Sequence, residues 1–457
     1  MDTTQKVIQM HLVKINDNSF KKKEDFSEIP SLTNKTVDKT LEQLQKEGIF
    51  IFPEKLEDAD DITKDEMILQ AKNDQYLASN IMGFIGCGNE RLVISSRFGG
   101  ENDYFFQYLL DKVFEFPNIV NLNTDASSDE RLFNYFMFLF PRYLSSAMRK
   151  GLYKKYIRHH YNDKNVKGTI DIAEHIKKNV PFVGNIAYSQ REFSYDNHLM
   201  ELVRHTIEFI KRKPNGNYLL TKVKNEVELV VQATPSYSFS DRQKVIEENS
   251  KNMINHAYYK EYLDLQRLCI LILRYQKHQI SNGTNKIYGI LFDGAWLWEE
   301  YINQLIGDKF YHPMNKGGIG GQKLFENKNK NKIGLIYPDF ISKDPNNRII
   351  ADAKYKPIDN IGNKDYLQVL AYMFRFDSKE GYYLYPDALD NEDSALHLNS
   401  GSTYENNVQA REDICITKHG LKIPTAVSSY EEFVKQIKEN EQKFIRIFEC
   451  LSSRIDY

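Results

Sequence analysis

The chain has 457 residues, with 61 Lys and Arg against 63 Asp and Glu, a formal net charge of −2 and a pI near 6.6. Hydrophobic residues make up 41% and charged residues 27%, a globular balance that excludes wholesale disorder, collagen-like sequence and a strongly basic scaffold. At roughly 150 residues per domain, the length predicts two to four domains with real cores.

Cys87, Cys269, Cys415 and Cys450 lie far apart and form no CxxC pair. That argues against a zinc site or disulfide framework and for a reduced, cytoplasmic chain. Met1–Phe20 is polar and lacks the apolar core of a signal peptide. No apolar run approaches the roughly 20 residues that span a bilayer. The densest, Tyr135–Leu144, is interrupted by Pro141 and Arg142, so no membrane partner is expected.

In chain order, residues 1–125 read as a mixed, strand-rich region suited to partner docking or DNA recognition. Val7–Val13, Gly48–Phe52 and Arg91–Ser95 are short, β-prone and bounded by Asn, Asp, Gly and Pro. Acidic Glu54–Glu66 reads as a solvated loop or helix start, and Tyr104–Phe116 has helical spacing. Residues 126–280 read as mainly helical with a basic patch. Asp129–His160, Asn197–Lys213 and Tyr258–Gln279 carry apolar residues three and four apart, and Pro235–Asp241 is a Ser/Tyr-rich connection.

Residues 281–457 change character. A helix pattern over Ala295–Ile306 precedes Gly-rich Gly317–Gly321 and a Lys/Asn-rich stretch. Two β-like runs follow, Ile333–Ile341 and Arg348–Ala353, then a helix pattern at Tyr366–Phe376 and a strand-like Gly381–Tyr385. The order predicts an α/β (α+β) domain with a mixed sheet flanked by helices.

The two β-like runs end in residues that a core disfavours. One carries Pro338-Asp339-Phe340 and the other Asp352-Ala353-Lys354, each beside apolar Ile336, Ile349, Ile350 and Ala351. Side chains alternate along a strand, so Asp352 and Lys354 share a face. Alone, a D-x-K triplet marks a solvated strand edge with a weak ion pair. Paired with an upstream Pro-Asp, it describes two hard oxygen ligands and an ammonium at one edge. Such a set suits Mg²⁺ and phosphodiester hydrolysis, with the amine orienting water or stabilising the developing oxyanion. Gln368 and Tyr372, four apart on the next helix, address one site; the plain alternative is a core Tyr with an incidental Gln. In Trp296-Leu297-Trp298-Glu299-Glu300-Tyr301, Glu299 faces inward more than Glu300, as a third carboxylate or a surface acid.

Asp339, Asp352 and Lys354 resemble the signature of the PD-(D/E)xK nuclease superfamily, and Gln368 with Tyr372 resembles the QxxxY element of its RecB-like branch. More narrowly, the chain resembles the McrC family, the nuclease subunit of McrBC-type and LlaJI-type restriction systems. Leu297-Trp298-Glu299 with Tyr301 is similar to that family's pre-nuclease helix. Val166-Lys167-Gly168-Thr169-Ile170-Asp171 is similar to its RGRID-type segment, and Glu192-Phe193-Ser194-Tyr195-Asp196 with Asn197 to its EFSxDxxxN region. The resemblance does not extend through the first hundred residues.

It implies a Mg²⁺-dependent endodeoxyribonuclease, with Mn²⁺ as a substitute, in anti-phage defence. Asp339, Asp352, the Ala353 backbone carbonyl and Glu299 would hold metal. Lys354 would serve the water, and Gln368 and Tyr372 would position the phosphate. The implied partners are double-stranded DNA and an AAA+ McrB-like GTPase or ATPase hexamer. No GxxxxGK[ST] sequence is present, and Gly317–Gly321 lacks the Lys and Ser/Thr of a phosphate loop, so no nucleotide is expected to bind this chain. The alternatives are an adaptor that docks on an AAA+ ring without cutting and a stand-alone repair nuclease.

Between Arg142 and Lys167 the sequence places eight cations, Arg149, Lys150, Lys154, Lys155 and Arg158 among them, against Asp163 alone. Interleaved tyrosines suit DNA contact; a solvated helix face or a docking surface for an acidic motor remain open. His159-His160 lacks acidic companions for a metal. Lys323, Lys328 and Lys330 precede the first catalytic strand as a loop near any bound phosphate.

Overall fold

A computed structural model gives the architecture. It describes residues 11–53, 63–100, 102–114, 128–213, 216–275, 287–313 and 320–452. The chain divides into two compact units, Met1–Asn121 with Gly283–Tyr457, and Leu122–Asn282. The first and last regions, read separately in the sequence, lie in one of these units.

That unit opens with β1 (His11–Asn16), β2 (Phe20–Lys22), α1 (Pro30–Thr36), α2 (Leu41–Glu47), β3 (Phe50–Phe52), β4 (Leu69–Lys72), β5 (Gln75–Ala78), β6 (Ile81–Cys87), β7 (Glu90–Ser95) and α3 (Tyr104–Val113). The other unit holds α4 (Ser128–Met148), β8 (Lys155–Asp163), β9 (Thr169–Ile170), α5 (Ile172–Asn179), β10 (Ile186–Ser194), α6 (His198–Lys211), α7 (Gly216–Thr221), α8 (Lys224–Ala233), α9 (Arg242–Lys251) and α10 (Lys260–Tyr275). The chain then returns with β11 (Ile287–Asp293), α11 (Gly294–Ile306), β12 (Phe310–Tyr311), β13 (Gln322–Glu326), β14 (Lys332–Ile336), β15 (Phe340–Ser342) and β16 (Ile349–Ala353). It ends with α12 (Asn363–Phe376), β17 (Glu380–Asp387), β18 (Ser394–Ser400), β19 (Gln409–Lys422) and α13 (Tyr430–Ser452). The result is a mixed α/β fold.

The first unit has a five-stranded mixed sheet, β1-β7-β6-β11-β3. Every residue of β6 and β11 is buried, so these central strands are covered on both faces and show no period-two pattern. Gly83 has φ +136°, and a Cβ there would lie 2.1 Å from the Ile290 carbonyl oxygen. Only glycine lets the two backbones meet there. Leu32, Leu41, Ile68, Ile85 and Leu291 lie in the core of this sheet.

The second sheet runs β12-β15-β16-β17-β19-β18. β16, β17 and β19 are parallel, and α12 provides the crossover from β16 to β17. Val369, Tyr372 and Met373 of α12 pack on Ile350, Tyr383 and Ile416. On α13, buried Glu441 accepts hydrogen bonds of 2.7 Å from Tyr108 of α3 and Tyr301 of α11 through one oxygen. One carboxylate thus joins three helices.

The middle unit is less helical than expected. The helix read over Asp129–His160 ends at Met148, and the cationic stretch after it is strand β8, paired antiparallel with β10. Gly151, at φ +78°, breaks the helix. Beyond it Ile157, His159 and Tyr161 are half-buried while Tyr156, Arg158 and His160 are exposed, a strand period. Among the described residues no helix is long and apolar enough to cross a membrane. Residues 54–62 and 314–319, including Gly317–Ile319, lie outside the described residues.

Candidate active site

Strands β15 and β16 set the acids. Phe340 pairs with Ala351 and Ile341 with Ile350, and continuing that register puts Asp339 level with Asp352. The Ala353 N–H donates to Asp339 Oδ2 at 2.8 Å, fixing one carboxylate across the hairpin. The Lys354 N–H donates to the Leu384 carbonyl at 2.9 Å, and Trp298 Nε1–H donates to the same oxygen at 2.9 Å. The buried indole therefore pins the strand end that presents Lys354. The His312 Nδ1–H donates to the Asp339 carbonyl at 2.9 Å, and its ring stacks on Phe340.

Asp352 is 0% exposed, and Lys354 Nζ lies 2.6 Å from its Oδ2. Among the described residues its Oδ1 accepts no hydrogen bond. Burial pushes this carboxyl upward, against the pull of Lys354. Burial also opposes the charge on Lys354, but Asp352, Asp339 and Asp365 outweigh it and hold the amine above its ordinary range. Lys354 therefore stays an ammonium. Burial likewise works against Asp365, yet two bonds from Lys356, at 2.9 and 2.8 Å, and one from the Gly362 N–H keep it below the usual carboxylate range.

Gln368 Nε2 donates to the Tyr372 hydroxyl at 2.7 Å. Burial raises this phenol, with Asp352 and Asp339 adding to the shift, so α12 presents it to the acid pair. Glu299 lies at one remove: its Oε1 is 3.7 Å from His312 Nδ1. Among the described residues no group of three or more His, Cys, Asp or Glu side chains is gathered as a metal cage. A buried carboxylate oxygen lacking a donor is costly, and a hard divalent cation would satisfy it. Two carboxylates supplemented by water and phosphate oxygens are a shell that such a cation accepts.

The model for the McrBC 5-methylcytosine restriction system component matches residues 77–386, more than half of the chain. The chain belongs to that family. The McrBC match contains Glu299, Asp339, Asp352, Lys354, Lys356 and Asp365. Two solved structures from Thermococcus gammatolerans are similar. One is a refined half-complex from a tetradecameric assembly of McrB AAA+ hexamers with bound McrC, at 16% identity over 94% of this chain and 99% of that one, with a TM-score of 0.45. The other is the McrBC complex, at 15% identity over 65% and 87%, with a TM-score of 0.30. No curated protein matches the chain.

Two of the wider McrBC-like segments supply helix caps. Asp171 caps α5 by accepting from the Glu174 N–H. Asn197 caps α6 through the Leu199 and Met200 N–H groups and donates to the Tyr153, Ser194 and Tyr195 carbonyls. Arg149, Lys150, Lys155 and Arg158 are exposed on the middle unit, while Lys154 sits 4.2 Å over the Tyr195 ring. Lys323 lies on β13, with Lys328 and Lys330 in a hairpin turn rather than a loose loop.

Sequence reasoning missed His312, Lys356, Asp365 and Tyr383. The alternation in Asp352-Ala353-Lys354-Tyr355-Lys356 carried a signal for Lys356, and Gly362 three before Asp365 signalled a helix start. Tyr383 stands beside Asp352 in the β16–β17 register, its buried hydroxyl without a hydrogen-bond partner among the described residues; only the pairing reveals it. His312 lies too far upstream for any local signal.

Proposed function

We propose that this McrBC component is the Mg²⁺-dependent DNA endonuclease subunit of its restriction system, of PD-(D/E)xK type, activated by an AAA+ GTPase or ATPase. The observation that carries this reading is the buried Asp352 carboxylate, ion-paired to Lys354 yet with Oδ1 lacking a donor among the described residues, level with Asp339. Asp339, Asp352 and the Ala353 carbonyl hold the ion, and Mn²⁺ fits the same oxygen set. When bound, the metal neutralises charge at the phosphorus and acidifies water. The Lys354 ammonium donates to the attacking water or to the developing oxyanion. Gln368 and Tyr372 position the phosphate, and Glu299 acts through His312.

Double-stranded DNA is the substrate, and the cytoplasm is where DNA and motor meet. Exposed Ile172, Ile176, Val180, Phe182 and Val183 on α5 and the loop after it support docking on a protein partner. Exposed Arg149, Lys150, Lys155 and Arg158 support phosphate contact. Nucleotide hydrolysis comes from the partner. The test is plasmid cleavage by the chain with its AAA+ partner, Mg²⁺ and nucleotide. Undiminished cutting by Asp352→Ala or Lys354→Ala rejects the assignment. Normal restriction in cells carrying Asp339→Ala favours an adaptor instead.

A further inference from the structure

Strands β13 and β14 form a two-stranded sheet of their own, outside the six-stranded sheet. Phe325 pairs with Ile333 and Lys323 with Leu335, so all four side chains share one face. Phe325 is 64% exposed, Ile333 51% and Leu335 48%. The turn is shaped rather than loose. Asn327 Oδ1 accepts from the Asn329 and Asn331 N–H groups, and Lys330 adopts φ +59°. Arg375 Nε of α12 donates to the Lys323 carbonyl at 2.8 Å, tying the ribbon's base to the helix that carries Gln368 and Tyr372.

An isolated two-stranded ribbon is marginal in water. Three large apolar side chains displayed on one need a cover. Charge says which kind: Lys323, Lys328 and Lys330 stand against Glu326, favouring a polyanion. Continuity says where. β14 ends at Ile336, three residues before Asp339, so the ribbon's base lies within roughly 10 Å of that acid. A five-residue strand then carries the tip about 17 Å further, roughly half a turn of duplex.

We infer that the β13–β14 hairpin is a DNA wedge, with Phe325 and Ile333 packing into the minor groove beside the cut and Lys328 and Lys330 holding flanking phosphates. Apolar side chains that enter a minor groove unstack base steps, and lysines beside them release counterions. The inference rests on the nuclease reading for its substrate, but binding tests it separately from cutting.

The experiment uses the full chain, alone and with its AAA+ partner, on a duplex carrying 2-aminopurine, with Ca²⁺ replacing Mg²⁺. Wild type should bind and raise the probe's fluorescence. Phe325→Ser/Ile333→Ser should bind about tenfold more weakly, lose the fluorescence rise and keep the salt slope. Lys328→Ala/Lys330→Ala should instead reduce the salt slope by about two. Wild-type affinity, fluorescence and slope in both variants overturn the wedge, and continued Mg²⁺-dependent cutting by those variants leaves the nuclease reading standing. Loss of binding in the variants with no cutting by any chain sustains the wedge and sinks the nuclease reading. Loss of partner co-purification with unchanged DNA binding makes the hairpin a protein contact and overturns the proposal.

Discussion

Removing the Lys354 amine should cost more stability than removing the Asp352 charge. Asp352 is wholly buried, its Oδ1 accepts no hydrogen bond from the described residues, and Lys354 Nζ at 2.6 Å is its ion-pair partner. Lys354→Met therefore strands a carboxylate, and breaking a buried pair from one side costs about 3–5 kcal/mol. Asp352→Asn is milder, because Lys354 keeps Asp365 at 4.0 Å and the field of Asp339. A unit of roughly 300 residues unfolds with an entropy of ~0.6 kcal/mol/K, so Lys354→Met should lower its melting temperature by about 5–8 °C. The double variant Asp352→Asn/Lys354→Met removes both charges and should melt above Lys354→Met alone. Scanning calorimetry on the full chain gives the ranking, and cleavage assays should show all three variants down by at least about a hundredfold. A Lys354→Met protein that melts like wild type, or a double variant that loses the sum of the two single losses, refutes the pairing argument.

Glu441→Leu leaves the Tyr108 and Tyr301 hydroxyls buried without their shared acceptor; denaturant titration should show a loss of about 3 kcal/mol. Gly83→Ala puts a methyl against the Ile290 carbonyl at positive φ, and soluble yield on expression should collapse, with Gly48→Ala, where a Cβ meets nothing within 4 Å, much milder. His205 is buried, neither ring nitrogen has a hydrogen-bond partner among the described residues, and burial, with Arg242 adding, lowers its pKa to about 4. A depressed histidine binds its proton more weakly folded than unfolded. Stability of the middle unit should therefore fall as pH drops from about 6.5 to about 4, by up to about 3 kcal/mol. Melting curves of His205→Phe across that range should lack this component; an unchanged acid slope removes His205 as its source.

The acids and amine were legible because their chemistry conflicts with their surroundings: charged residues at the ends of Ile-rich runs invite explanation. Helices α3, α6, α11 and α12 were legible from three- and four-residue spacing. β6 and β11 were not, since strands buried on both faces lose the alternation that announces a strand. β8 was mistaken for helix because Tyr, Arg and His at its positions satisfy either period over so short a span. The joining of the first and last regions was invisible for another reason. It depends on β11 pairing with residues some two hundred positions earlier, and no local pattern encodes a partner so distant.

The position of β11 also orders events during synthesis. A ribosome releases Phe50–Phe52 and Ile81–Cys87 long before the strand that lies between them, and the whole 122–282 insertion must emerge first. At some 5–20 residues per second, the edge of β6 awaits its neighbour for on the order of ten seconds or more. A nascent McrBC chain thus carries an unfinished apolar sheet through nearly half of its translation, and a fragment starting at 283 inherits a seven-residue greasy strand with nothing to join.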